Sequence, residues 1–212
     1  IIDEQHRFGV NQRVALREKG SQSKKQPHQL IMTATPIPRT LAMAAYADLD
    51  SSIIDELPVG RKPVETLVIP NDKRPSVIER VKDACTKGQQ AYWVCPLIDE
   101  SELIKADAAT DRYEYLKKII KPLKIGLIHG RQKQAEKENT MRLFKEGKID
   151  LLVATTVIEV GVNVPNASLM IIENAERMGL TQLHQLRGRV GRGNQKSHCI
   201  LLYKKPLGSL AY

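Results

Sequence analysis

From Val64 onward the sequence alternates between short apolar runs and longer amphipathic ones, and this alternation limits the possible folds more than any other feature. The runs at 64–69, 90–97, 124–128, 150–154, 168–172 and 197–203 have strand length and composition, while 75–87, 101–120, 132–146 and 181–190 repeat at helical spacing. Strands that alternate with helices predict a mostly parallel sheet covered on both faces, since each parallel neighbour requires a long crossover that packs back on the sheet. Upstream the pattern is sparser: Ile1 to Glu4 reads as the end of a strand, 11–20 as a helix, Leu30 to Thr33 as a buried strand, and Leu41 to Tyr46 as a helix after a proline-held turn. Pro58, Gly60 and Pro63 mark a short, stiff connector. The expected organisation is a partial α/β domain over 1–58, a linker at 59–63, a complete α/β domain over 64–205, and the start of a following segment at 206–212. A chain that opens at a strand end predicts a piece of something longer. Its first part would then expose apolar surface and a strand edge, predicting disorder, packing on the second domain, or non-native self-association.

The net charge of +9 invites a polyanionic partner, and its distribution sharpens the point. Residues 1–60 carry 7 basic and 7 acidic side chains, against 26 and 17 in the remainder, so the surplus lies wholly after residue 60. Cys85, Cys95 and Cys199 are odd in number, far apart and set in apolar segments, which predicts reduced core thiols in a cytoplasmic protein. No apolar run reaches membrane-spanning length, so a membrane partner is not expected.

Within this frame, residues 181–193 concentrate chemistry. Read at helical spacing, Gln185, Arg189 and Arg192 share one face, with Leu183, Leu186 and Val190 as an apolar stripe beside it. Guanidinium forks suit phosphate oxygens, and Gly188, Gly191 and Gly193 are expected to clear bulk so that phosphates approach closely. A basic solvated helix end, or an Arg-rich patch that merely holds nucleic-acid backbone, is the alternative. At the other end of the chain, Asp3 and Glu4 stand at a strand terminus, the edge where open α/β sheets bind ligands. Nucleotide hydrolysis needs one carboxylate to hold Mg²⁺ and another to orient or deprotonate the attacking water, roles that Asp3 and Glu4 would fill in that order. His129, Gly130 and Arg131 follow a strand, as do Thr155 and Thr156. Such backbone amides, hydroxyls and cations bind phosphate without reading base sequence. Trp93 reads as packed in the sheet, with base stacking as the weaker alternative.

Several of these strings resemble a known family. QxxGRxxR, filled by Gln185, Gly188, Arg189 and Arg192, resembles the sixth motif of superfamily 2 helicases, and LHQLRGRVGRG is similar to the RecG branched-DNA helicases and the related transcription-repair coupling factors. DEQHRFG at 3–9 resembles the RecG DExH box, TATPIPRT at 33–40 the third motif, and LLVATTVIEVGVNVP at 151–165 the fifth; LPVGRKP at 57–63 and AYWVCPLIDESE at 91–102 favour RecG over the coupling factors.

The resemblance implies a complete second RecA-like motor domain preceded by part of a first. It further implies ATP with Mg²⁺ near Asp3, nucleotide contacts from Gly161, Asn163, Gln185, Arg189 and Arg192, and coupling of hydrolysis to DNA through Thr33 and Thr35. DNA backbone contacts would come from His129, Gly130, Arg131 and Thr155 or Thr156. Asn163 departs from the Asp that many relatives carry to meet the ribose. The implied activity is 3′ to 5′ translocation on branched double-stranded DNA in recombination and repair. No GxxxxGK[ST] phosphate loop occurs in the sequence, so the upstream motor and wedge domains would be partners, and the chain alone is expected to lack ATPase activity. A coupling-factor motor and a non-catalytic nucleic-acid-binding module remain the alternatives.

Overall fold

The computed structural model describes residues 1–3, 15, 28, 30–32, 50, 52–56, 60–96, 102–155, 164–193 and 195–205. It divides into two compact units, Ile1–Asp55 and Glu56–Tyr212. In the first, β1 (Ile2–Asp3) pairs in parallel with β2 (Ile31–Met32), Ile2 opposite Ile31 and Asp3 opposite Met32. The helices expected at 11–20 and 41–46 lie outside the described residues, apart from Ala15, which is helical.

The second unit holds six parallel strands: β3 (Val64–Pro70), β4 (Gln90–Val94), β5 (Ile125–Ile128), β6 (Leu151–Ala154), β7 (Ala167–Ile172) and β8 (Ser197–Tyr203). Their spatial order is β3-β8-β7-β4-β6-β5. The strands differ in burial as a two-faced sheet requires: every residue of β4, β6 and β7 is buried, whereas the edge strand β3 keeps Glu65, Thr66 and Val68 exposed. Four helices cover the sheet: α1 (Arg74–Thr86), α2 (Glu102–Ile119), α3 (Gln134–Lys145) and α4 (Leu180–Arg187).

Alternation along β4 sends its side chains to two separate cores. Trp93 joins Val77, Ile78 and Val81 of α1 and Leu116 of α2, while Tyr92 joins Phe144 of α3, Leu186 of α4 and Val190. Helices therefore cover both faces, α1 and α2 on one and α3 and α4 on the other. Buried polar groups tie the layers together. The Gln90 amide, 4% exposed, donates to the carbonyls of Phe144 at 2.6 Å and Ile149 at 2.7 Å. From β4 the chain crosses to the edge strand β5, steps back inward through β6, and then passes to the other side of β4 through β7 and β8. The strand order thus reverses between β4 and β7, the position where open α/β sheets leave a crevice at their carboxyl ends.

One boundary differs in a way that matters for the site. The run 181–190 was expected to be helical throughout, but α4 ends at Arg187. The bonds Arg189 N–H to Leu186 O (2.9 Å) and Val190 N–H to Arg187 O (3.4 Å) tighten the chain to three-residue closure, and Gly191 then leaves with φ +75°.

Candidate functional site

The cationic site is built on the turn after α4. Leu186 and Val190 are buried and Leu183 packs partly against them, so the apolar stripe exists and anchors the segment. The polar residues are not carried on one continuous helix, however. Gln185 belongs to α4, Arg189 to the tight turn, and Arg192 to the extended chain beyond Gly191. The turn brings Arg192 back toward the end of α4, with its Nε–H directed at the Gly188 carbonyl 3.4 Å away. Arg189 is half-buried and Arg192 exposed. Both act on the Tyr92 hydroxyl beneath them: burial pushes this phenol up to about 12, while Arg192 and then Arg189 pull in the opposite direction. Arg192 itself is pushed below the usual guanidinium range, first by burial and then by the neighbouring charges of Arg189 and Arg61.

Two of the glycines, Gly191 and Gly193, are required by the protein's own packing. A Cβ on Gly193 would stand 2.5 Å from the Pro165 carbonyl oxygen, and one on Gly191 would stand 2.8 Å from Val64 Cγ2. Gly188 has ordinary right-handed dihedrals, φ −66° and ψ −8°, with nothing nearer to such a Cβ than the Gln185 oxygen at 3.4 Å.

A second cluster lies at the carboxyl ends of β5 and β6. Ile128 and Ala154 are in register, which sets His129 beside Thr155, and the Thr155 amide donates to the Ile128 carbonyl at 3.1 Å. Gln132, which the sequence gave no reason to single out, staples this corner: its Oε1 accepts from the His129 amide at 3.1 Å and its Nε2 donates to the Leu127 carbonyl at 3.2 Å. Gly130 and Arg131 are exposed, and Arg131 reaches Asp107 at 3.7 Å. His129 is held below its ordinary pKa, first by burial and then by Arg131. Thr155 is only 2% exposed, and its Oγ1, like His129 Nδ1, finds no hydrogen-bond partner among the described residues. Asp3 is the last residue of β1 itself. Glu4, Thr33, Thr35, Thr156, Gly161 and Asn163 lie outside the described residues.

The crevice between β4 and β7 is filled by a network that no motif marked. Glu173, 5% exposed, accepts from Trp93 Nε1 at 2.8 Å and from Arg112 Nη2 at 3.1 Å. Arg112 Nε and Arg74 Nε stand 2.7 and 3.7 Å away. Trp93 is 0% exposed, so it is a core side chain and base stacking is excluded. Its partners come from α1, α2 and the end of β7, elements with no common sequence spacing. The three cysteines are free and buried, with burial raising Cys85 to about 12, Cys199 to about 11, and Cys95 further still.

Comparison with known proteins agrees with this architecture. The chain is 68% identical over all 212 residues to the ATP-dependent DNA helicase RecG of Escherichia coli (strain K12), of which it covers 31%. It is 54% identical over 203 residues to RecG of Thermotoga maritima, of which it covers 26%. The chain therefore spans less than a third of the length of these relatives. Among solved structures, RecG bound to a three-way DNA junction matches 99% of the chain and 26% of its own, with a TM-score of 0.75 at 49% identity. Yeast Dbp5 bound to RNA and ADP BeF3 shares the fold at 16% identity, TM-score 0.63. These neighbours identify the six-stranded sheet as RecA-like. The profile of the helicase conserved C-terminal domain matches residues 75–194, more than half of the sequence, and the chain belongs to that family.

Proposed function

We propose that this chain is the part of an ATP-dependent 3′ to 5′ DNA translocase that carries the second motor domain, and that the intact protein remodels branched DNA such as stalled forks and Holliday junctions. The observation that carries the reading is the turn after α4, which gathers Arg187, Arg189 and Arg192 over 187–192 and leaves Arg192 exposed, its Nε–H 3.4 Å from the Gly188 carbonyl, with no carboxylate at ion-pair distance among the described residues. Like charges held together favour a polyanion, and guanidinium forks fit phosphate oxygens. The identity to RecG and the fold shared with the junction-bound RecG structure support DNA as the track.

In this reading Gln185, Arg189 and Arg192 bind the γ-phosphate and stabilise the charge that builds on it as its bond to ADP breaks. Glu4 would orient the attacking water, and Asp3 would hold Mg²⁺, whose charge would neutralise phosphate oxygens. Gly161 faces the nucleotide. Asn163 can hydrogen-bond a ribose hydroxyl without the charge an Asp would bring. His129, Gly130 and Arg131 hold DNA backbone, as does the Thr155–Thr156 pair. Thr33 and Thr35 link the two functions. The acidic and the basic groups come from different units of the chain. The phosphate loop comes from an upstream motor domain of the same protein, and the 212-residue chain alone does not turn over ATP.

The test is DNA-stimulated ATPase of the full-length protein. Replacing Arg189 or Arg192 with Ala should lower kcat by about 10³-fold or more, the scale of an arginine finger, while junction binding persists. Retained turnover in both variants would remove the motor reading.

A further inference from the structure

The corner after β5 is a closed turn whose free donors are set by one side chain. The Gln132 amide donates to the His129 carbonyl at 3.2 Å, which closes a four-residue turn directly after the strand. Such a turn bonds its end residues and leaves the amides of the two central ones unpaired. These are Gly130 and Arg131, both exposed, and neither amide has a protein acceptor among the described residues. The His129 amide, by contrast, is taken. It donates to Gln132 Oε1 at 3.1 Å, while Gln132 Nε2 donates to the Leu127 carbonyl at 3.2 Å. β5 is an edge strand with β6 on one side, where the Ile128 carbonyl accepts from Thr155, so the Leu127 carbonyl and the His129 amide face the open edge. The half-buried Gln132 carboxamide meets both there, as the peptide of a further strand would.

We propose that Gln132 is a positioning residue of the DNA-backbone site, holding the turn so that the amides of Gly130 and Arg131, and not that of His129, take a phosphate. Backbone N–H groups are obligatory donors, and successive ones in a turn form a concavity for an anion oxygen. Their bonds to a charged phosphate are stronger than those to water and read no base sequence. Gln132 fixes the turn before DNA arrives, so the ordering cost is not charged to binding. The carboxamide suits this task because it supplies one donor and one acceptor without charge. A carboxylate would accept from His129 but repel the phosphate, and an aliphatic side chain would leave both strand groups unpaired.

The proposal rests on the reading of residues 129–131 as a DNA-backbone site, so the experiment separates the two. In the full-length protein, the Kd for a fluorescent three-way DNA junction is measured by anisotropy across a salt series, with the melting temperature of each variant. Gln132→Leu and Gln132→Ala are expected to weaken binding about tenfold, the scale of one hydrogen bond to a charged group. The slope of log Kd against log salt should stay that of the parent, since amides carry no net charge. Gly130 lies outside the left-handed region, and proline is favoured at the second position of such a turn, so Gly130→Pro removes one amide donor and should give the same parallel displacement. Arg131→Ala should instead lower the slope by about one. Parent affinity in both Gln132 variants, or in Gly130→Pro, overturns the proposal, and a weakened Arg131→Ala beside it leaves the DNA site standing. A Gln132 loss whose slope falls as in Arg131→Ala also overturns it, because Gln132 would then act through the guanidinium. So does a lowered melting temperature without the displacement, which marks a purely structural side chain. Parent affinity and slope in both Arg131→Ala and Gly130→Pro remove the DNA-backbone reading together with the proposal.

Discussion

Glu173→Gln is the substitution most informative about what holds the second domain together. Glutamine keeps the shape and one acceptor, so Trp93 Nε1–H retains its bond, now 2.8 Å long. What is lost is the charge facing Arg112, with Nε at 2.7 Å and Nη2 at 3.1 Å, and Arg74 at 3.7 Å. The new amide also turns a donor toward guanidinium donors. Removing one partner of a buried ion pair costs about 3–5 kcal/mol, and hydrogen bonds to charged groups contribute about 1.5–3 kcal/mol net. The carboxylate side chain is 7% exposed but Arg112 and Arg74 keep 19% and 24%, so both guanidinium groups can still recruit water. The expected loss is therefore about 2–3 kcal/mol, below the fully buried case. Trp93 is the sole tryptophan, so urea unfolding followed by its fluorescence reports on this domain directly. The midpoint should fall with the slope unchanged. Arg112→Met should couple to Glu173→Gln more strongly than Arg74→Met, given the shorter distances. A loss under about 0.5 kcal/mol, the scale of an exposed pair, would show that the network does not secure the β4–β7 crevice.

Three further outcomes follow from the geometry. Gly193→Ala forces a Cβ onto the Pro165 carbonyl and should cost about 2 kcal/mol, and Gly191→Ala about 1–2 kcal/mol for its positive φ, whereas Gly188→Ala should be neutral or stabilising; thermal melts showing all three alike would refute the packing role of the first two. Because the folded His129 pKa lies below its unfolded value near 6.5, the unfolded chain binds the proton more readily, so this group's contribution is present above pH 6.5 and is lost as pH falls from there through the folded pKa; His129→Gln should flatten that part of the stability–pH curve, as denaturant titrations at stepped pH would show. Cys85, Cys95 and Cys199 should resist a thiol-reactive disulfide reagent at pH 8 until the chain is unfolded, and fast labelling of any one in the native state would contradict its burial.

Much of the fold was legible because its signals are local. Periodicity along 64–203 places six strands and four helices within a few residues of where they stand, since the alternation of apolar positions depends on each segment alone. The end of α4 was not legible. Gln185, Arg189 and Arg192 keep helical spacing in the sequence, yet the departure is made by Gly191, whose positive φ is set by packing against Val64 from a distant strand. The turn separates residues that the motif's spacing had set on one helical face, so the expected single-helix geometry does not hold.

Sequence by itself determined the strand–helix order, the parallel class of sheet, the core cysteines and the cationic character of residues 185–192, all properties of neighbours along the chain. Tertiary structure alone decided that Glu173 would gather Trp93 and Arg112, eighty and sixty-one positions away. Such pairings arise from strand order and register, which bring together side chains no spacing rule connects. Their energies depend on the burial that only the assembled sheet provides.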